Sequence, residues 1–592
     1  MTKIPASKNR LHFIRGIWAL LPKEARPTAL LIILLSLIGG CLEMLSLGLI
    51  VPVIQGLTTG HFPQLAQHDS WISKLTGSLS QNEFIALGLG ALIGAYLLKT
   101  AFLSFFAFRL SQFIFDVKLN LSKRIFINNV QASYLQHVNK HSSDMSSSLT
   151  HEIPQFISGV LVSCLIIISE TLIALSIILL LVILEPISAL IIFTAGAACI
   201  YVFDGLYKNT LLGWGKKRQL YENLRQRGIL DAFQSFSDIK LFAKEPFFIA
   251  QFLETNTMLA NAEKHYFALT QLPRLWLEIL AIILIAALVL IKQSPDQLVI
   301  SILPTMALFT AVAFKLLPSA NRIIQALHSL RSSQHTIASL QTENSETQLE
   351  NISPQIKVID FKNSIDFNQL IFTHVNALKP VLNRLTFSLG KAKTIGLRGK
   401  SGSGKSTIAK LLTGLYIPSS GSITVDGMKI EHNLFEWRKH IALVPQSIHM
   451  LNISIKNNIA FGVSEDLIDI DRINYCIEVA QLTTFIASLP DGIDTNAGER
   501  GVKISGGQLQ RIGIARALYR DPAILILDEA SSAIDPSTET KIIASLRSQP
   551  EPMTILIISH RESTLNNCDE VYELSNGRIV DVITEYPPVK VI

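Results

Sequence analysis

The hydrophobic pattern divides the chain in two. Up to about residue 330 apolar residues crowd into long unbroken runs; beyond it they come in short runs separated by polar and glycine-rich stretches. A helix needs about 20 mostly apolar residues to cross a bilayer. Six segments qualify, at about 28–57, 83–110, 153–184, 186–207, 268–291 and 297–327, with Glu185–Pro186 as the tight turn between the third and fourth. Lysine and arginine mark which loops face the cytoplasm. They are plentiful before residue 27, in 112–150 and in 208–267. In the alternate loops, 58–82 has only Lys74 and 292–296 only Lys292. Both termini are therefore expected on the cytoplasmic side. The stretches 112–150 and 208–267 are polar with helical spacing, so the membrane helices are expected to run well past the bilayer. Residues 336–355 have no apolar period and read as a linker. After them, β-rich runs such as "TIGLRG", "ILILDEA" and "TILIISH" alternate with helical ones, the pattern of an α/β domain. The expected layout is a helical membrane domain over 1–335, a linker over 336–355 and an α/β domain over 356–592.

Composition sharpens this picture. A chain of 592 residues is too long for one core, and 17% charged residues is well below the roughly 25% of soluble proteins. The net charge of +6 sits mainly beside the apolar spans, which favours membrane orientation over nucleic-acid binding. Cys41, Cys164, Cys199, Cys476 and Cys568 form no C-x-x-C pair and read as small buried hydrophobes. The basic N-terminus precedes an apolar run too long for a signal peptide and is expected to be retained.

The chemistry begins at "GKSGSGKST", Gly399, Lys400, Ser401, Gly402, Ser403, Gly404, Lys405, Ser406 and Thr407. It matches G-x-x-x-x-G-K-[ST] between a strand-like and a helical run, the context in which backbone N–H groups and a helix N-terminus cradle phosphates. Lys405 is placed for the outer phosphates of ATP and Ser406 for Mg2+. "AILILDEA" reads as a buried strand ending in Asp528 and Glu529, beside the phosphate loop. Asp528 suits a magnesium ion held through water, and Glu529 an attacking water.

Further motifs carry a family resemblance. "VPQ" ending at Gln446, "NAGERG" at 496–501, "ISGGQLQRIGIARAL" at 504–518, "SSAID" ending at Asp535 and "IISHR" containing His560 follow in order. Together with the six-span pattern they resemble an ATP-binding cassette exporter half-transporter. The resemblance implies a fold of six membrane helices of domain-swapped exporter type, followed by an α/β P-loop ATP-binding cassette. It also implies two subunits, with no nucleic acid. Ser505, Gly506, Gly507 and Gln508 would face the nucleotide bound by the second subunit, which is expected to be a second copy. Gln446 would contact magnesium, His560 would hold the γ-phosphate with Glu529, and Asp535 would bridge the subunits. His374 stands where relatives place a tyrosine on the adenine, with Phe372 as the neighbouring alternative. Ile504 and Ile534 replace the usual leucines at conserved volume.

Charges inside membrane helices are costly and mark candidate functional sites. Glu43, Glu170, Glu278 and Lys315 are candidates for a substrate cavity; Lys99, Arg109 and Arg274 are further intramembrane charges. "LEMLSLGLIVPVI", "KLLPSANRI" and "IKLFAKEPFF" resemble segments of lipid-linked-oligosaccharide flippases. The expected function is ATP-driven export or flipping of a lipid, lipid-linked oligosaccharide or other amphipathic substrate from the cytoplasmic leaflet of an inner membrane. Peptide or drug export and a nucleotide-gated channel are the alternatives.

Overall fold

A computed structural model describes residues 15–59, 81–139, 142–292, 303–345 and 361–584, apart from 375, 376, 378, 499–503 and 531. Two units emerge: Met1–Val130 with Lys140–Thr347, and Gln131–Asn139 with Gln348–Ile592.

The first unit is helical. Its main helices are α1 (Ala25–Gly48), α2 (Gln81–Gln131), α3 (Val162–Leu184), α4 (Pro186–Gln234), α5 (Phe236–Leu241), α6 (Glu245–Lys292), α7 (Leu303–Ser332) and α8 (Gln334–Ser345). The 51 residues of α2 rise about 75 Å, more than twice the hydrocarbon thickness. The membrane helices thus run on into the polar stretches, α2 as far as Gln131, α4 as far as Gln234 and α6 from Glu245. Five helices among the described residues are long and apolar enough to cross a membrane. The fourth expected span, 186–207, opens α4, where the described apolar run is the shorter Pro186–Gly196. The first expected span breaks at Leu49 and resumes as Ile50–Thr59, where Pro52 falls in the first turn and forfeits only an N–H that lacks a helical partner anyway. Residues 297–302 of the sixth expected span lie outside the described residues.

The polarity of this unit is inverted. Ser36, Glu43, Ser46, Lys99, Ser163 and Glu170 are buried, while Leu97, Phe108, Ile187 and Phe314 are largely exposed. Such a surface suits lipid, and it leaves polar groups only where other helices partner them. Ahead of α3, two π-helical turns, Ser148–Glu152 and Ile157–Leu161, flank the turn containing Pro154. In the second of these, Gly159 lies against Ser333: a Cβ there would stand 2.1 Å from its Oγ.

The segment 336–345, expected to begin a linker, is helical instead. Within α8, Ile337 and Leu340 lie three residues apart on one face and are buried in the cluster of Leu20, Val117, Phe156 and Val160. Two apolar positions one turn apart are too few to show a period in sequence, yet enough to dock a helix. The rest of the expected linker, 346–355, lies outside the described residues.

The second unit is α/β. Its strands are β1 (Ser364–Phe372), β2 (Leu382–Gly390), β3 (Thr394–Gly399), β4 (Ser420–Val425), β5 (Met428–Lys429), β6 (Ile441–Val444), β7 (Ile524–Asp528), β8 (Thr554–Ile558), β9 (Glu570–Ser575) and β10 (Arg578–Ile583). A six-stranded sheet has the order β10-β9-β3-β8-β7-β6 and is parallel from β9 to β6. The antiparallel β2-β1-β4-β5 sheet is a separate ladder that shares one core with it. Strands β7 and β8 are buried along their whole length, as continuous apolar runs in a parallel sheet require. Helices α9 (Lys405–Leu412), α10 (Gly506–Tyr519) and α11 (Pro536–Arg547) complete the elements that carry the site.

Candidate nucleotide site and intramembrane charges

The parallel sheet brings four separate sequence motifs to one edge. Strand β3 ends in Gly399 at the phosphate loop, β7 ends in Asp528, β8 leads to His560, and β6 ends two residues before Gln446. Ligands bind outside the carboxyl ends of parallel strands because loops converge there and helix N-termini point inward. In the loop, Gly402 and Gly404 have φ of 80° and 108°, a region that a side chain disfavours. Gly404 also lies where a Cβ would be 2.7 Å from Leu382. Lys405 is buried and donates to the carbonyls of Gly399 at 2.8 Å and Lys400 at 3.1 Å. Burial pushes its ammonium below the usual lysine range. The Ser403 hydroxyl is buried in this cradle without a hydrogen-bond partner among the described residues. Lys400, Ser401, Gly402 and Ser406 are exposed, and Thr407 is half-buried.

Ser406 Oγ donates to Asp528 Oδ1 at 3.1 Å. Burial holds the Asp528 carboxyl above the usual carboxylate range, partly offset by that hydrogen bond. The next residue, Glu529, has φ of 51° and donates its N–H to the Ile558 carbonyl at 2.9 Å. A glutamate in the left-handed region is strained, and such strain concentrates at functional sites. Both carboxylate oxygens of Glu529 are engaged: Gln446 Nε2 donates to Oε2 at 2.7 Å, and His560 Nε2 lies 3.1 Å from Oε1. Ser406, Gln446 and His560, read from three separate motifs, thus meet at a single carboxylate pair, Asp528–Glu529.

Ser505, Gly506, Gly507 and Gln508 form a second cluster. Ser505 caps α10, accepting from the Gln508 N–H at 3.3 Å, while Gln508 Oε1 accepts from the Ser505 N–H at 2.9 Å. This reciprocal capping box employs both side chains in holding the helix start. Asp535 caps α11, accepting from Thr538 N–H at 2.9 Å and Ser537 Oγ at 2.7 Å. These bonds hold its carboxyl well below the usual range. His374 packs edge-on against Phe372 and Tyr416, and Phe372 and Tyr416 stack at 5.0 Å. Phe372 is buried, so His374 is the more accessible of the two adenine candidates. Tyr134 reaches the same cluster, 5.7 Å from Tyr416. No local motif marks Tyr416 or Tyr134.

The intramembrane charges resolve into three ion-paired groups, with Arg109 apart from them. Glu43 is buried between two cations, Lys99 Nζ at 2.9 Å and Lys315 Nζ at 2.8 Å, and Lys99 also donates to Ser46 Oγ. Glu170 pairs with Arg322. Glu278 pairs with Arg274 at 2.8 Å on the exposed face of α6, one helical turn away, and is not a deeply buried carboxylate. Arg109 lies at the exposed surface of α2, beside Gln112 and Phe105. Arg322 escapes a reading of charges span by span; its spacing of seven from Lys315 is the signal that both lie on one face of α7.

Residues 382–532 match the ABC transporter family. Among curated relatives, the "ATP-dependent lipid A-core flippase" of Vibrio cholerae serotype O1 is 38% identical over 276 residues, 46% of this chain and 47% of the relative. The protein of the same description in Idiomarina loihiensis is 44% identical over 218 residues, 37% of each chain. That of Saccharophagus degradans is 39% identical over 298 residues, 50% of this chain and 49% of the relative. The chain spans about half the length, or less, of the curated relatives it matches. A bacterial Atm1-family ABC exporter, solved with ATP bound, superposes with a TM-score of 0.75 at 22% identity, covering 94% of this chain and 95% of the other. Residues 382–532 thus match the ABC transporter family, and the chain as a whole has the fold of the ABC exporter, a helical domain with long apolar helices followed by an α/β domain.

Proposed function

We propose that the chain is an ATP-hydrolysing lipid exporter or flippase that works as a dimer of identical half-transporters. The observation that carries this reading is the convergence of Ser406, Asp528, Glu529, Gln446 and His560 at one sheet edge. The chain holding it also has, among its described residues, five helices fit to cross a membrane.

The phosphates of ATP would lie on the Gly399–Thr407 loop. The orphaned Ser403 hydroxyl and the N–H groups opening α9 supply donors there. Lys405, turned onto two loop carbonyls, is within its own side-chain reach of the cradle and would exchange them for phosphate oxygens. Ser406 and Asp528 offer adjoining hard oxygens that fit Mg2+, and the cation would neutralise phosphate charge. Glu529 would orient the attacking water and accept its proton. Its two oxygens hold Gln446 and His560, so a nucleotide and water entering the site would compete with these bonds. Gln446 would thereby sense nucleotide, and His560 would be freed toward the γ-phosphate. The reaction needs positioning and charge stabilisation, which these groups provide. His374 would cover the adenine.

Only half of each nucleotide's ligands lie in this arrangement. Ser505–Gln508 form a separate capped helix start whose natural place is over the nucleotide of a second copy, with Asp535 at the same junction. The tip of the α4–α6 pair carries exposed Phe233, Phe236, Leu241, Phe242 and Phe247, an apolar patch suited to docking on that copy.

The cargo we infer is an anionic glycolipid, in line with the lipid A-core named for the relatives. On α7, Lys315 and Arg322 are both partly exposed and project one net positive charge beyond the carboxylates they hold, counting Lys99 with Glu43. The test is ATP hydrolysis by the purified chain in lipid nanodiscs, with Glu529→Gln as the blank. Stimulation by lipid A-core or a polyprenyl-pyrophosphate glycolipid, and not by a neutral glycolipid, is expected. Turnover indifferent to every lipid would overturn the cargo. Turnover no higher than the blank would overturn the transporter reading itself.

A further inference from the structure

The residues 532–535, between the proposed catalytic Glu529 and helix α11, make contacts that the nucleotide motifs do not explain. Gln510, buried on α10, grips the segment from one side. Its Nε2 donates to Ser532 Oγ at 2.9 Å and its Oε1 accepts from Ala533 N–H at 2.8 Å. Arg561, the residue after His560, grips it from the other. One guanidinium nitrogen donates to the Ile534 carbonyl at 3.0 Å and another to the Ser532 carbonyl at 2.6 Å.

Arg561 is itself anchored. Glu539 is 4% exposed, its Oε2 lies 3.7 Å from Arg561 Nη1, and its Oε1 accepts from Thr564 Oγ1 at 2.7 Å. A carboxylate buried this deeply persists because its charge is answered. The Ile534 side chain is buried beneath the segment, and Ser532 N–H donates to the Glu529 carbonyl at 3.2 Å. On the α10 side, contact is so close that a Cβ on Gly507 would stand 2.8 Å from the Ala533 carbonyl. The segment is therefore held to three places at once: the start of α10, the backbone of Glu529, and the residue that follows His560.

We propose that Gln510 and the Glu539–Arg561 pair are positioning residues that lock segment 532–535, so that the Ser505–Gln508 helix start and the Glu529–His560 pair move as one body. This rests on the reading of Glu529 and His560 as hydrolytic. The planar guanidinium spans two carbonyls, which a lysine ammonium on its longer, flexible stem cannot do in the same geometry. The bonds of Gln510 and Arg561 given above go to segment 532–535 and to Glu539, so their loss is expected to act on turnover more than on nucleotide affinity.

The experiment compares Gln510→Leu, Arg561→Lys and Glu539→Gln with the parent chain in nanodiscs. It reads kcat, KM for ATP, Kd for a non-hydrolysable ATP analogue, and thermal midpoint. The expected result is a kcat lowered about tenfold in Gln510→Leu and Arg561→Lys, with KM and Kd unchanged. Glu539→Gln, which keeps the bond to Thr564 but loses the charge facing Arg561, should fall between them and the parent. Unchanged kcat in Arg561→Lys and Gln510→Leu overturns the proposal, as does a loss of kcat that follows weaker analogue binding and a lower thermal midpoint. A parent chain no more active than Glu529→Gln would instead overturn the hydrolytic reading on which it rests.

Discussion

Replacing Glu43 by glutamine tests whether the buried charge group of the membrane domain is a structural ion network. The side chains of Glu43 and Lys99 are each 5% exposed and 2.9 Å apart, while Lys315 is 42% exposed at 2.8 Å. At an effective dielectric of about 20, a pair at this distance attracts by about 5–6 kcal/mol before desolvation is counted. Glutamine keeps the shape of Glu43 and leaves Lys99 buried without a countercharge. Removing one partner of a buried pair costs about 3–5 kcal/mol. Lys315→Met should cost about 1 kcal/mol or less, since Lys315 is half in its surroundings and Lys99 still answers Glu43. The assay is reversible unfolding in mixed micelles, read by tryptophan fluorescence from Trp18, Trp214 and Trp276, which belong to this unit. The double variant Glu43→Met with Lys99→Met should recover most of the loss, because an apolar pair needs no compensation. A Glu43→Gln variant within about 1 kcal/mol of the parent, or a double variant worse than the sum of the singles, would refute the network.

Two other outcomes follow from packing. Gly159→Ala puts a methyl 2.6 Å from Ser333 Cβ and should destabilise the helical unit by about 1–3 kcal/mol. Adding Ser333→Gly should restore most of it, and strict additivity of the two changes would show that the helices do not meet there. Cys476 is fully buried, and burial pushes its thiol up to about 11. In the folded chain at pH 8 it should react with a maleimide about a hundredfold more slowly than a free thiol, because so little thiolate is present; labelling at the free-thiol rate would contradict its burial.

The nucleotide residues were legible because a phosphate cradle constrains local sequence. Glycines at 402 and 404, Lys405 and Ser406 must be contiguous, and a buried strand ending in two carboxylates announces itself. Arg561, Glu539 and Gln510 were not legible. Each is an ordinary polar residue on a helix or loop, and what sets it apart is a partner 20 to 30 positions away. The intramembrane charges were partly legible. Their presence in apolar runs stood out, but composition does not say which cation meets which carboxylate. Glu278 stands among the cavity candidates because it lies in an apolar run, yet its partner is Arg274, on the same exposed helix face.

From the sequence by itself come the two-part architecture, the apolar spans, their continuation as long helices and the residues of the phosphate loop, because hydrophobic period and loop chemistry are local properties. Tertiary structure alone decided that Glu529 is strained and holds both Gln446 and His560, that Glu43 sits between two lysines, and that residues 336–345 belong to a docked helix. These depend on which strand ends and helix faces adjoin, and adjacency in a folded chain is set by the packing of the whole core.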